Sequence, residues 1–327
     1  MTTLITGASG FVGSELCSEL VAREHEIRGI VRSISSVDLT SSYRNHLCAF
    51  ENIKPDTNWS NVLLDIDCVV HCSARTHIMN ETEIDALAAY RAVNVDGTRN
   101  LAEQAADAGV KRFIFISSIK VNGERTNSGT CFTSDDNAFP RDAYGISKWE
   151  AEQALQEISV RTDLEVVIIR PPLVYGPSVK GNFLSLLGWL HKGILLPLGA
   201  IHNQRSMVSI SNLVDLIITC IDQPAAANQT FLVSDDEDRS TTELLRSMST
   251  ALGKPTRLLP VPSSMLKLGA QLLGKQDIAQ RLLGNLQVDI CYTKRVLDWS
   301  PPSSMDEGLR ITAEWYLNQR QIVRSGP

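Results

Sequence analysis

"TGASGFVGSELCSEL" (6–20) sets glycines at 7, 10 and 13, directly after the apolar run "TLIT" (3–6) and at the head of a helical pattern. Three glycines on this register allow a tight turn, close approach of backbone N–H groups to a pyrophosphate, and close helix–strand packing. The spacing is G-x-x-G-x-x-G rather than the G-x-G-x-x-G of ordinary dehydrogenases. Between a strand and a helix, at the start of a chain that goes on alternating, it predicts a dinucleotide site.

The alternation continues downstream. A helix over about 11–23 leads into "EIRGIVR" (26–32), and "CVVHCSA" (68–74) is a further apolar strand. A helical pattern "NVDGTRNLAEQAADAG" (94–109), the strand "RFIFISS" (112–118), the helix "SKWEAEQALQEISVR" (147–161) and the strand "LEVVIIRPP" (164–172) follow. Apolar strands separated by helices predict an α/β protein with a doubly wound parallel sheet of the Rossmann type. Beyond Pro177 the segments lengthen and Gly and Pro become frequent, which predicts a smaller C-terminal substrate lobe. The division expected is 1–175 for the dinucleotide-binding domain and 176–327 for the lobe, with "NQTFLVSD" (228–235) returning to the main sheet.

Composition narrows the functional classes. The 327 residues carry a net charge of −6, so no basic field favours nucleic acid or an anionic membrane. No leading signal stretch is evident, and no apolar run reaches the roughly 18–20 residues of a spanning helix, so no stable membrane insertion is expected. The 265–284 region is expected to be a lobe helix packed on its neighbours rather than a membrane contact. Seven scattered cysteines predict reduced thiols and a cytoplasmic protein, and the histidines show no metal spacing.

"AYGISKWEAEQAL" (143–155) puts Tyr144 and Lys148 one helical turn apart, and Ser118 closes the strand at 112–118. At the carboxyl ends of the strands, these three predict proton transfer coupled to hydride transfer. Tyr144 exchanges the proton, Ser118 holds the same oxygen, and Lys148 holds the nicotinamide ribose and favours the phenolate. The second strand ends at Val31-Arg32 without a carboxylate. Arg32 suits a ribose 2′-phosphate, so NADP(H) is favoured and NAD(H) is the alternative. The bland reading of Arg32 is a solvated loop residue.

These stretches, with "VVHCSA", "NVDGT", "FISS", "YGISK" and "RPPLVYGP", resemble the extended short-chain dehydrogenase/reductases of the nucleotide-sugar epimerase/dehydratase type. The resemblance covers essentially the whole chain and implies further residues. Phe11 and Val12 of the glycine loop, Asn52 and Ile53 near the adenine, Ser73, Ala74, Ser117 and Pro171 would line the cofactor. Asn94 would support the tyrosine region. On the substrate side, Asn182 and Phe183 would lie near the nucleotide, and Arg205 would pair with a phosphate, with Arg281 a weaker second partner. Lys120 either faces the sugar or is a solvated strand-end lysine.

The dehydratases of this family carry an Asp-Glu pair just after the catalytic hydroxyl residue. Here Ile119-Lys120 stands instead, which argues against water elimination. The resemblance then implies a UDP-sugar 4-keto reductase of bacterial surface-polysaccharide synthesis. The first alternative is a UDP-glucose or UDP-N-acetylglucosamine 4-epimerase with tightly bound NAD, and the second a non-catalytic dinucleotide sensor. A homodimer through the helices at 95–108 and 147–160 is also implied.

Overall fold

The computed structural model describes residues 1–50, 53–76 and 85–325. Asn52 lies outside the described residues. Seven strands form one parallel sheet in the order β3-β2-β1-β4-β5-β6-β9. They are β1 (Thr2–Thr6), β2 (Glu26–Val31), β3 (Leu47–Ala49), β4 (Cys68–His71), β5 (Arg112–Ile116), β6 (Glu165–Arg170) and β9 (Thr230–Leu232). β7 (Leu173–Tyr175) and β8 (Met207–Ser209) make a separate parallel pair. The chain direction reverses its progress across the sheet at β1, between β2 and β4, where doubly wound folds open a crevice for ligands.

Successive strand residues face opposite layers, which is why the strands read as continuous apolar runs. Ile5, Val70, Ile114 and Val167 pack with Leu16 and Leu20 of the helix Phe11–Ala22 and Leu213 and Ile217 of the helix Ile210–Asp222. Leu4, Val69, Phe113 and Phe115 pack on the other side with Leu101 and Ala105 of the helix Gly97–Asp107. Ala151, Leu155 and Ile158 of the helix Ala143–Arg161 complete that layer. A third core gathers Tyr175, Phe183, Leu187, Leu245, Met248 and Leu309. Phe11 packs against both the first and the third core.

Two elements differ from the sequence expectation. The pattern at 94–109 is not one helix. A π turn, Ala92–Asp96, joins the helices Ala86–Arg91 and Gly97–Asp107. The region at 265–284 forms the helices Ser263–Leu272 and Gln276–Leu283, and the first of these buries no residue. The expected packed lobe helix is therefore half free: in Ser263–Leu272 only Leu266 of the large apolar side chains packs, partly, against the third core, whereas Leu282 and Leu283 of the second helix pack there.

Candidate active site

The glycine loop has the geometry its spacing predicts. Gly7 sits at φ +70, a conformation that favours glycine. A Cβ on Gly13 would lie 2.2 Å from the Gly7 carbonyl oxygen, so only glycine lets the helix start this close to the turn. Gly10 caps the helix Phe11–Ala22, whose first turn holds no acidic residue and whose cap makes no side-chain hydrogen bond. Its leading N–H groups are thus left for an anion. These features fit a dinucleotide pyrophosphate. Ser73 and Ala74 follow β4 beside the loop, with the Ser73 N–H on the Thr6 hydroxyl at 3.3 Å. Arg32 follows β2 and is exposed. Ile53 packs on Gly97, at the start of the helix after the π turn.

Ser118 follows β5 and Tyr144 opens the helix Ala143–Arg161, both half-buried. Asp142 caps that helix, accepting from the Gly145 N–H at 2.7 Å. Lys148 is 1% exposed, with its Nζ 4.0 Å from the centroid of the Phe115 ring. Burial pulls its ammonium down to about 7, against an opposing pull from Glu152 and Cys72. Protein groups alone do not lower the Tyr144 phenol as the sequence reading expected. Burial pushes it up, with Asp142 and the edge-on Tyr90 ring adding to the rise. Desolvation is the largest cause of the rise.

Beneath these residues lies a buried network that sequence reasoning missed. The Ser117 hydroxyl donates to Glu152 at 2.5 Å, and Arg170 clasps Glu152 and reaches Asn122 at 3.0 Å. Ser117 was expected to touch the cofactor; its proton is committed to Glu152 and its side chain is buried. Glu152 lies four residues after Lys148 on the same helix face, a spacing that could have flagged it. Asn94, in the π turn, bonds the Ser147 hydroxyl at 3.0 Å, and Ser147 donates to the Tyr144 carbonyl at 2.8 Å. His71, at the end of β4, is buried between the hydroxyls of Thr6 and Thr98. The Pro171 carbonyl accepts from the Ile119 N–H at 2.9 Å.

The substrate-side candidates divide. Burial lowers the Arg205 guanidinium, and nearby Arg281 adds to the fall. Arg205 also donates to the Gly284 carbonyl at 3.2 Å, which fixes its direction. Asn182 is exposed in the first turn of the helix Gly181–His191. Phe183 is buried and stacked on Tyr175 with centroids 5.5 Å apart. Lys120 is not a solvated strand-end lysine either. It pairs with Asp142 and, at 3.4 Å, with Glu124.

Comparison with known proteins agrees with this arrangement. The pattern describing the NAD dependent epimerase/dehydratase family matches residues 3–234. A UDP-glucose 4-epimerase of Vibrio cholerae is 50% identical over 316 residues, 96% of this chain and 95% of that protein. The chain therefore belongs to the NAD dependent epimerase/dehydratase family and is an enzyme of the short-chain dehydrogenase/reductase type. An N-acetyl-alpha-D-glucosaminyl-diphospho-ditrans,octacis-undecaprenol 4-epimerase of Escherichia coli O157:H7 is 29% identical, over 80% of this chain and 76% of that one. The fold matches a UDP-glucuronic acid 4-epimerase from Bacillus cereus in complex with NAD, with a TM-score of 0.79 and 20% identity over 100% of this chain and 99% of that one.

Proposed function

We propose that this enzyme is a UDP-hexose 4-epimerase. The observation that carries the reading is the 50% identity, along 96% of the chain, to a protein named as a UDP-glucose 4-epimerase. This favours the epimerase that the sequence reading set second over the 4-keto reductase it set first. The residue set supports it. Ser118, Tyr144 and Lys148 are all present, and Ile119 is buried where a dehydratase would need an acid.

In this reading a bound dinucleotide accepts a hydride from the sugar C4 and returns it to the opposite face. The chain's own residues handle the proton. Tyr144 takes it from the C4 hydroxyl, and the Ser118 hydroxyl holds the same oxygen. Burial and Asp142 oppose ionisation of Tyr144. Lys148, and the pairing of Asp142 with Lys120, oppose that opposition. Arg205 and Arg281 form the cationic pair for the substrate diphosphate. Gly7, Gly10, Gly13, Ser73 and Ala74 hold the dinucleotide. The seven thiols are all unpaired, which supports a cytoplasmic setting. Val160, exposed on the helix Ala143–Arg161, is compatible with a homodimer there.

One observation favours a second reading, a reductase using exchangeable NADPH: exposed Arg32 follows β2 with no carboxylate beside it. A single incubation separates the two. Purified protein given UDP-glucose and no dinucleotide should form UDP-galactose, and Tyr144→Phe should slow this by about 10²–10⁴. No epimer, together with NADPH-dependent reduction of a 4-keto sugar nucleotide, would move the assignment to the reductase.

A further inference from the structure

The helix Ser263–Leu272 turns its apolar side the wrong way for a soluble surface. Met265, Leu268 and Leu272 recur at i, i+3 and i+7, one stripe of the helix, and are 63%, 60% and 79% exposed. Leu266, about a third of a turn away from Met265, faces the third core. Leu273, 74% exposed, extends the exposed stripe past the helix end. Large apolar side chains gathered in this way mark a surface that meets something other than water.

Its charge says what that something is. In a chain of net charge −6, residues 252–275 carry Lys254, Arg257, Lys267 and Lys275 and no acid. All four cations are exposed. An apolar stripe within so cationic a segment matches an anionic lipid surface, which attracts Lys and Arg. A second copy of this acidic chain would also be attracted by the cations, but it need not supply an apolar counterpart. The helix has 10 residues and begins after Pro262, too short to span a bilayer and suited to lie in its interface.

We propose that the face formed by Met265, Leu268, Leu272 and Leu273 docks peripherally on an anionic phospholipid bilayer. The apolar stripe enters the headgroup boundary while Lys254, Arg257 and Lys275 of the same segment meet lipid phosphates. The docking does not depend on which reaction the active site runs. It also does not contradict the expectation of no stable insertion, because nothing crosses the bilayer.

Co-sedimentation of the full chain with vesicles tests it. Vesicles containing phosphatidylglycerol should pellet the protein, pure phosphatidylcholine vesicles should do so far less, and added salt should release it. Leu268→Ser with Leu272→Ser should weaken pelleting by roughly tenfold or more. Both side chains are exposed, so melting temperature and epimerase turnover on soluble substrate should stay as in the parent. The proposal is overturned if the parent stays in the supernatant with both vesicles, or if the double variant pellets equally. It is also overturned if light scattering shows the parent covering this face with a second copy, as an oligomer that the double variant loses.

Discussion

Lys120 and Asp142 form an ion pair at the N-terminus of the helix that carries Tyr144 and Lys148. Asp142 caps the helix through the Gly145 N–H, and its charge is one of the groups that raises the Tyr144 phenol. Lys120 therefore acts on Tyr144 through Asp142. Lys120→Ala leaves that carboxylate uncompensated, so Tyr144 should ionise less readily. The acidic limb of the kcat/KM profile should move to higher pH with substrate KM little changed. An unmoved pH profile with a raised KM would instead make Lys120 a substrate contact.

Lys148 holds a costly position. Its folded value of about 7 lies below the ordinary 10.5, so between these pH values the unfolded chain binds more protons. Stability should rise with pH across that window, and the penalty is fully present below about pH 7. Lys148→Met should abolish turnover yet match or exceed the parent in urea unfolding at pH 7, with the advantage fading towards pH 10. A variant less stable at pH 7 would mean that the bonds of the ammonium outweigh its desolvation.

His71 gives the opposite end of the pH range. Burial, with Lys148 adding, lowers its imidazole from 6.5 to about 3. The unfolded chain takes up this proton first on acidification. Folding stability should fall as pH drops from 6.5 towards 3, by about 1.4 kcal/mol per unit from this group alone. Denaturant midpoints against pH should show a shallower fall for His71→Gln; identical slopes would remove His71 from the account.

The sheet was legible because each buried strand is a short apolar run and each helix between has its own periodicity. β4, β5 and β6 were each found within a few residues. β3 was missed because its three residues offer too little pattern. The π turn was invisible for a different reason: it is a change of hydrogen-bond register, and "NVDGTRN" reads as ordinary helix. In the site, spacing marked the glycine turn and put Tyr144 and Lys148 on one helix. It could not show that Ser117 would turn towards Glu152, or that Phe183 would stack on Tyr175, since both depend on long-range packing.

Arg205 and Arg281 make the substrate lobe testable apart from the chemistry. A charge-assisted bond to a diphosphate is worth roughly 1.5–3 kcal/mol, or about tenfold to a hundredfold in affinity. Calorimetry should find UDP binding weakened by such a factor in Arg205→Ala, while dinucleotide affinity is almost unchanged. Equal UDP affinity would place the phosphates elsewhere.

The central claim is that hydrogen leaves C4 of the sugar and returns to the same carbon. UDP-glucose carrying deuterium at C4, incubated with the enzyme in ordinary water, should yield UDP-galactose that keeps the deuterium at C4, seen by mass spectrometry and proton resonance. The label should survive without net consumption of added NADPH. Loss of the deuterium to solvent, or product formed only as NADPH is used up, would contradict the account.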